Sequence, residues 1–552
     1  MPHQFQELRK KNIWLPLLLS IVLIAGLVGG FYLSKILGTK RDFSTIMDRN
    51  DRLGEMIDVI SEKYVDSISS DSLYNDAISG ILHHLDPHTS YIPAKDLDLV
   101  NANLDGNFSG VGLEYQIVFD TPMISMITPN SPAFISGAET GDLIIKINDT
   151  IVAGVNITKK ELVRRVRKSK VSLVSFEVYR PIENKTISLK INKGDVEINS
   201  IDAAYMIDKE TGYIRIKRFA GNTYEEFKEE LEALKEAGMK KLIVDLRNNG
   251  GGYLQAAVNI ADEFLSGNKL IVYTYGSKIG RENYAAYRNG AFENGRLMIV
   301  VDENSASASE ILAGAIQDWD RGIVLGRQTY GKGLVQEQFE LGDGAALRIT
   351  IARYYTPVGR SIQKSYSEGR DRYFWDKDHI RTESPSAIAS GSSFYTSLNK
   401  RKVYGGGGIY PDINIPRNQE HYSKTLAEII SSPKLDAFIY QYYAQNPKKF
   451  KSISSFKEFD QEVGFGGTLG KELDKICTQI SPLYTTVVKA NKNEKKLLEA
   501  FVKGTLARIQ FNNEGYFMII NRTDKLLKRA YEVINSDEYS KIIRGDTVQP
   551  TE

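Results

Sequence analysis

The sequence predicts a multidomain α/β chain. Three observations carry that reading: short apolar strands alternate with helical stretches between residues 198 and 415, a glycine-punctuated, strand-rich stretch precedes them, and helical runs lie at both ends. One hydrophobic core does not serve 552 residues. The divisions expected are an N-terminal tail (1–12), an apolar run (13–33), a helical segment (34–95), a β domain (96–193), an α/β core (194–415, with contributions from the N-terminal segment) and a C-terminal helical extension (416–552).

The run 13–33 carries no charge and is long enough to cross a hydrocarbon layer of about 30 Å as a helix. Arg9, Lys10 and Lys11 precede it and place the N-terminus on the cytoplasmic side. The competing reading is a cleaved signal peptide with Gly26, Gly29 and Gly30 near the cut. Its apolar region is usually shorter, about 7–15 residues, so a retained single-pass anchor is expected. Either way the rest of the chain is exported.

In the helical segment Met47, Leu53, Met56, Ile57 and Ile60 recur at helical spacing, as do Ile78, Ile81, Leu82 and Leu85 before Pro87. In the β domain strands are expected at 111–119, 123–127, 142–147 and 171–179, with a helix at 159–167. In the core, strands at 212–216, 241–246, 297–301 and 322–325 alternate with helices at 223–237, 252–265 and 308–318. The extension carries helical runs at about 422–445 and 493–509, and helices at both ends are compatible with a homo-oligomer.

Composition excludes some classes. Hydrophobic and charged fractions of 42% and 25% rule out wholesale disorder. A net charge of +2 gives no reason to expect nucleic acid. The single cysteine, Cys477, permits no intrachain disulfide. His84 and His88 stand at i and i+4, a spacing that can hold a metal. Pro87 breaks that helix and no carboxylate or cysteine partner has a clear spacing, so these residues and His83 read as turn and packing residues. No metal or other cofactor is expected.

Three loops could do chemistry. The strand 297–301 runs through Ser305-Ala-Ser-Ala-Ser-Glu310 into a helix, which exposes Ser307 at a strand end beside the unpaired N–H of Ala308. Ser307-x-x-Glu310 is equally a capping box. A serine nucleophile needs a base, and none of the six histidines lies in the core's glycine-marked loops. The alternative is a lysine held neutral by burial, and Lys332 in Gly331-Lys-Gly-Leu-Val-Gln336 is the candidate. A strand over 334–339 puts Lys332, Leu334 and Gln336 on one face, so that Gln336 can hold the amine. Gly326-x-x-x-x-Gly331-Lys332 also matches most of a phosphate-binding loop, but Gly333 replaces the Mg²⁺-binding Ser or Thr and no helix follows. In the third loop, Asp245-Leu-Arg-Asn-Asn-Gly-Gly-Gly252, an N–H of Gly251 or Gly252 can serve as a second oxyanion donor; a plain strand–helix turn accounts for it equally well.

These segments, with Leu85-Asp-Pro-His-Thr-Ser-Tyr91, Gly110-Val-Gly-Leu113, Gly212-Tyr-Ile-Arg-Ile216, Tyr355-Thr-Pro-Val-Gly-Arg-Ser-Ile362 and Gly408-Ile-Tyr-Pro-Asp412, resemble the carboxy-terminal processing (tail-specific) peptidases, in the family's order and over the exported chain to about residue 415. The resemblance implies a crotonase-like protease core with Ser307 as nucleophile, Lys332 as general base and Gln336 as its orienting partner. It also implies Gly251 and Ala308 as oxyanion donors, and a PDZ domain whose loop Gly110, Val111, Gly112 and Leu113 catches a substrate C-terminus. Gly250 departs from the family, which often has Pro or Ser there, and a looser loop that substrate must order is one consequence. The expected partners are polypeptides with accessible C-terminal tails, and the expected location is a bacterial inner membrane with the catalytic part in the periplasm. The alternative function is a non-catalytic, membrane-tethered PDZ adaptor on a protease-like scaffold.

Overall fold

The structure is a computed structural model that describes residue 26 and residues 43–168, 172–378, 392–416 and 422–546. The expected anchor, 13–33, lies outside the described residues apart from Gly26. Among the described residues no helix is long and apolar enough to cross a membrane. The chain divides into two compact units, Met1–Leu85 and Asp86–Glu552. In the first, the described elements include the helices Phe43–Lys63 and Ser70–His83.

The second unit is built on a six-stranded sheet, ordered Ile201–Met206, Thr211–Ile216, Lys241–Asp245, Arg296–Val301, Ile323–Gly326 and Ile413–Asn414. Only the first pair is antiparallel. Parallel strands need both faces covered and so read as continuous apolar runs. One face, with Ile214, Leu242, Val244, Ile299 and Val324, packs on the helices Thr223–Glu236, Leu254–Asp262 and Ala308–Asp318. The alternate residues Tyr213, Ile243, Met298, Val300 and Leu325 pack on Leu526, Leu527, Ala530, Val533 and Tyr539. These belong to the helices Lys525–Ile534 and Asp537–Arg544. The end of the expected extension is therefore a layer of the core itself. A second sheet joins Ser90–Ile92, Leu270–Gly276, Gly280–Ala285 and Leu334–Glu340 to or through the long strand Ala346–Tyr355.

The β domain is an antiparallel sheet of Leu113–Val118, Thr121–Ile127, Leu143–Ile147, Leu173–Arg180 and Lys185–Asn192, closed on one face around Ile124, Ile144, Leu162, Phe176 and Val178. Leu162 comes from the helix Lys159–Lys168. On the other face Val118 and Met123 join the core of the C-terminal helices with Leu426, Leu435 and Ile439. Two expectations change there. The run 422–445 is two helices, Lys424–Ile430 and Pro433–Gln445, because Ser432 caps the second and Pro433 opens it. The run 493–509 extends over Lys492–Ile520 and kinks at Phe511 and Asn512, whose backbones are non-helical.

Candidate active site

Ser307 sits where the strand Arg296–Val301 has turned into the helix Ala308–Asp318, with φ 55° and ψ −113°. A serine at positive φ on a strand-to-helix turn is strained in the way nucleophile elbows are. Ser307 and Glu310 stand as the capping pair that the sequence suggests. The Ser307 N–H donates to Glu310 Oε2 at 2.8 Å. The Glu310 N–H goes to the Ser307 carbonyl at 2.8 Å, and the Ser307 hydroxyl makes no cap bond.

Glu310 is the centre of the arrangement. It is fully buried. Oε2 accepts the N–H groups of both Ser307 (2.8 Å) and Lys332 (2.9 Å), and Oε1 accepts Thr329 Oγ1 (2.6 Å) and the Gly331 N–H (2.8 Å). The amide nitrogens of Ser307 and Lys332 share one oxygen and so lie at most 5.7 Å apart, the sum of those two bonds. Burial raises the Glu310 carboxyl pKa, and these four bonds offset the shift in part.

Lys332 Nζ donates to Gln336 Oε1 at 2.9 Å, and Gln336 Nε2 donates to the His88 carbonyl at 2.6 Å. The amide of Gln336 is therefore oriented from both ends. Burial, then the charge of Arg348, lowers the Lys332 pKa; Asp86 and Glu310 oppose. The residues after Lys332 form the strand Leu334–Glu340 and not the helix that follows a phosphate-binding loop. No hydrogen bond joins Lys332 Nζ to Ser307 Oγ among the described residues. The Tyr354 hydroxyl donates to the Lys332 carbonyl and interacts with the Ser307 side chain.

The glycine loop lies against the serine. A side chain on Gly251 (φ 95°) would place Cβ 2.8 Å from Ser307 Cβ and 2.7 Å from the Ala306 carbonyl oxygen, so only glycine fits. Of the two expected oxyanion donors, the Ala308 N–H has no partner among the described residues. The Gly251 N–H instead donates to Asn249 Oδ1 at 2.9 Å. Asn249 is buried; its Nδ2 holds the Ile216 carbonyl (2.9 Å) and its own carbonyl accepts the Ala306 N–H (3.0 Å).

The expected tail-binding loop belongs to the β domain, apart from the Ser307 group. Gly110 ends the strand Asn107–Gly110, and Val111 is buried. The Val111 and Gly112 carbonyls accept the Ala133 and Thr128 N–H groups at 2.9 and 3.0 Å. Gly112 (φ 81°) presses on Ser131, which a Cβ would meet at 2.2 Å. Leu113 opens the strand Leu113–Val118, which stands at the edge of its sheet.

Two residues escape sequence reasoning. Glu310 reads as a cap and is the bridge between the two loops. His88 reads as a turn residue, yet it is half-buried near Lys332, its Nε2 2.8 Å from Tyr373 Oη and its ring edge-on to Tyr330, Tyr373 and Phe374. The motif Leu85-Asp-Pro-His-Thr-Ser-Tyr91 was the available signal for it.

Residues 210–368 match the model of peptidase family S41. The chain is 34% identical over 283 residues to a carboxyl-terminal-processing protease of a Picosynechococcus species, covering 50% of this chain and 67% of that one. It is 30% identical over 323 residues to a carboxy-terminal-processing protease of Bartonella bacilliformis, covering 56% and 72%. A solved structure titled photosystem II D1 C-terminal processing protease aligns at 25% identity and a TM-score of 0.34, over 64% of this chain and 84% of its own. The chain belongs to peptidase family S41, the carboxyl-terminal-processing proteases, and is a serine protease.

Proposed function

We propose that this protein is a membrane-anchored Ser–Lys endopeptidase that cuts exported polypeptides near their C-termini, with the β domain acting as a PDZ module. The substrate tail adds as a strand to the edge strand Leu113–Val118, its carboxylate met by the N–H groups of the Gly110–Leu113 loop. The chain upstream crosses the core and presents a carbonyl to Ser307. Neutral Lys332 takes the hydroxyl proton as Oγ bonds to the carbonyl carbon, and the oxyanion develops against the Ala308 and Gly251 N–H groups. The protonated amine then delivers the proton to the leaving nitrogen, and water releases the acyl group by the reverse sequence.

The observation that carries this reading is the Glu310 carboxylate, which holds the backbones of Ser307 and Lys332 on a single oxygen. In the resting arrangement Lys332 Nζ rests on Gln336 and the Gly251 N–H on Asn249. Substrate binding must therefore turn the serine towards the amine and release the Gly251 amide, in keeping with the loop freedom that Gly250 allows. The anchor that the sequence suggests at 13–33 supports a periplasmic location for this chemistry.

The test is fragment mapping by mass spectrometry of exported candidate substrates, incubated with active protein or with Ser307→Ala. Fragments that end near the native C-terminus and vanish with Ser307→Ala support the reading. Cleavage retained in the variant assigns another nucleophile, and binding without fragments by the unaltered protein returns the tethered-adaptor function.

A further inference from the structure

Beyond residue 368, where the family match ends, the chain reaches back to the glycine loop through an ion pair. Asp524 ends the loop before the helix Lys525–Ile534 and uses its two carboxylate oxygens differently. Oδ1 caps that helix by accepting the Leu527 N–H at 3.0 Å. Oδ2 accepts Arg247 Nη1 at 2.6 Å. Arg247 belongs to the glycine loop. Its Nη2 and Nε grip the fully buried Asp245 at 2.6 and 3.0 Å, and its carbonyl accepts Arg215 Nη2 at 2.9 Å. Burial alone would raise the Asp245 carboxyl, but Arg247 and Arg215 hold it well below the usual carboxylate range. Arg215 in turn lies over the ring of Phe517, 4.7 Å away, on the kinked helix Lys492–Ile520.

The stretch that follows Arg247 is the one pressed against Ser307. Asn248 takes a left-handed φ of 59°, held by Asp302 at 3.0 Å, and then come Asn249 and the three glycines. A loop so short of side chains keeps its geometry only if its ends are fixed. The strand Lys241–Asp245 fixes one side of Arg247, and Asp524 supplies the only carboxylate besides Asp245 with which the guanidinium pairs among the described residues. Both Arg247 and Asp524 are largely buried, with side chains 12% and 15% exposed. The pair is thus shielded enough to constrain, unlike an exposed salt bridge.

We propose that Asp524 is a positioning residue for the catalytic reaction. The C-terminal segment clamps Arg247 through it and thereby sets the Asn248–Gly252 loop against Ser307. This rests on the assignment of Ser307 and the glycine loop to catalysis. Asp524→Asn separates the clamp from the helix cap. Asparagine caps as well as aspartate does, but its neutral amide cannot pair with the guanidinium as a carboxylate does. In the full-length protein, assayed on an unstructured polypeptide, Asp524→Asn should lower kcat about tenfold or more, with KM within about twofold. Asp524→Glu should recover part of the loss. The comparison variant, on the same helix, is Tyr531→Phe, which removes the 2.6 Å bond from Tyr531 Oη to Asp208 in the turn before the strand Thr211–Ile216; it should lower the melting temperature and leave kcat unchanged.

An unchanged kcat in Asp524→Asn overturns the clamp. So does a loss that merely tracks the melting temperature as in Tyr531→Phe, and so does unfolding of both Asp524→Asn and Asp524→Ser, since each retains a capping side chain. Ser307→Ala in the same assay separates the two levels: if it still cleaves, the site assignment fails, whereas an inactive Ser307→Ala beside an unaffected Asp524→Asn removes the clamp alone.

Discussion

Acid should weaken this protein through His88, by an amount that follows from its surroundings. Burial and then the charge of Lys332 lower its pKa from the ordinary 6.5 to about 4, with Arg370 and Lys364 adding to the effect and Asp86 opposing it. Tyr330, Tyr373 and Phe374 complete the ring of groups around the imidazole. The unfolded chain protonates this histidine near 6.5, so between pH 6.5 and 4 the unfolded state binds more protons than the folded one. The contribution is therefore complete above pH 6.5 and is lost as pH falls towards 4. At about 1.4 kcal/mol per pKa unit the loss reaches about 3 kcal/mol by pH 4. His88→Gln keeps the backbone carbonyl that orients Gln336 and a side chain able to bond Tyr373, but does not titrate. Urea unfolding of both proteins at pH 7, 5.5 and 4 measures the difference. The unaltered protein should lose about 3 kcal/mol more than the variant over that range. Parallel curves would refute the placement of a neutral, half-buried His88 near Lys332.

The lowered pKa of Lys332 has two consequences. Cleavage should rise with pH and level off below the ordinary lysine value of 10.5, and a profile flat from neutral to alkaline would remove Lys332 as the base. Burial of this amine costs stability at neutral pH, a cost that fades as pH climbs through the unfolded-state pKa; Lys332→Met should melt higher than the unaltered protein at pH 7 in calorimetry, with the gain shrinking towards pH 10. Gln336→Ala frees Lys332 Nζ and leaves the His88 carbonyl unpaired, and should lower kcat roughly ten- to a hundredfold in steady-state assays. Gly251→Ala drives a methyl group into Ser307 and the Ala306 carbonyl; cleavage should fall at least about tenfold while circular dichroism still reports a folded chain.

Local pattern was enough to read much of the core and to nominate the residues of the candidate site. The strands at 241–246 and 297–301 are legible because a parallel strand covered on both faces is an unbroken apolar run. The scarcity of histidines, set beside a lysine between glycines, points to Ser307 and Lys332 as a candidate pair. What stayed hidden depends on residues that meet only in space. Nothing near Glu310 in the chain distinguishes a helix cap from a bridge to an amide 22 positions later. The Gly251 N–H reads as an oxyanion donor, and only the fold shows that Asn249 Oδ1 accepts it in the resting arrangement. The helices Lys525–Ile534 and Asp537–Arg544 look like a separate extension, since amphipathic periodicity says that a face is buried but not against what.

The sequence by itself thus determined the α/β class, the apolar strands and the candidate nucleophile and base, because these follow from local periodicity and residue chemistry. Only the tertiary structure decided that the last helices cover the core sheet, that one buried carboxylate joins the serine and lysine loops, and that Asp524 reaches Arg247 across 277 positions. Burial and hydrogen-bond pairing are properties of positions in space, and chain order alone does not encode them.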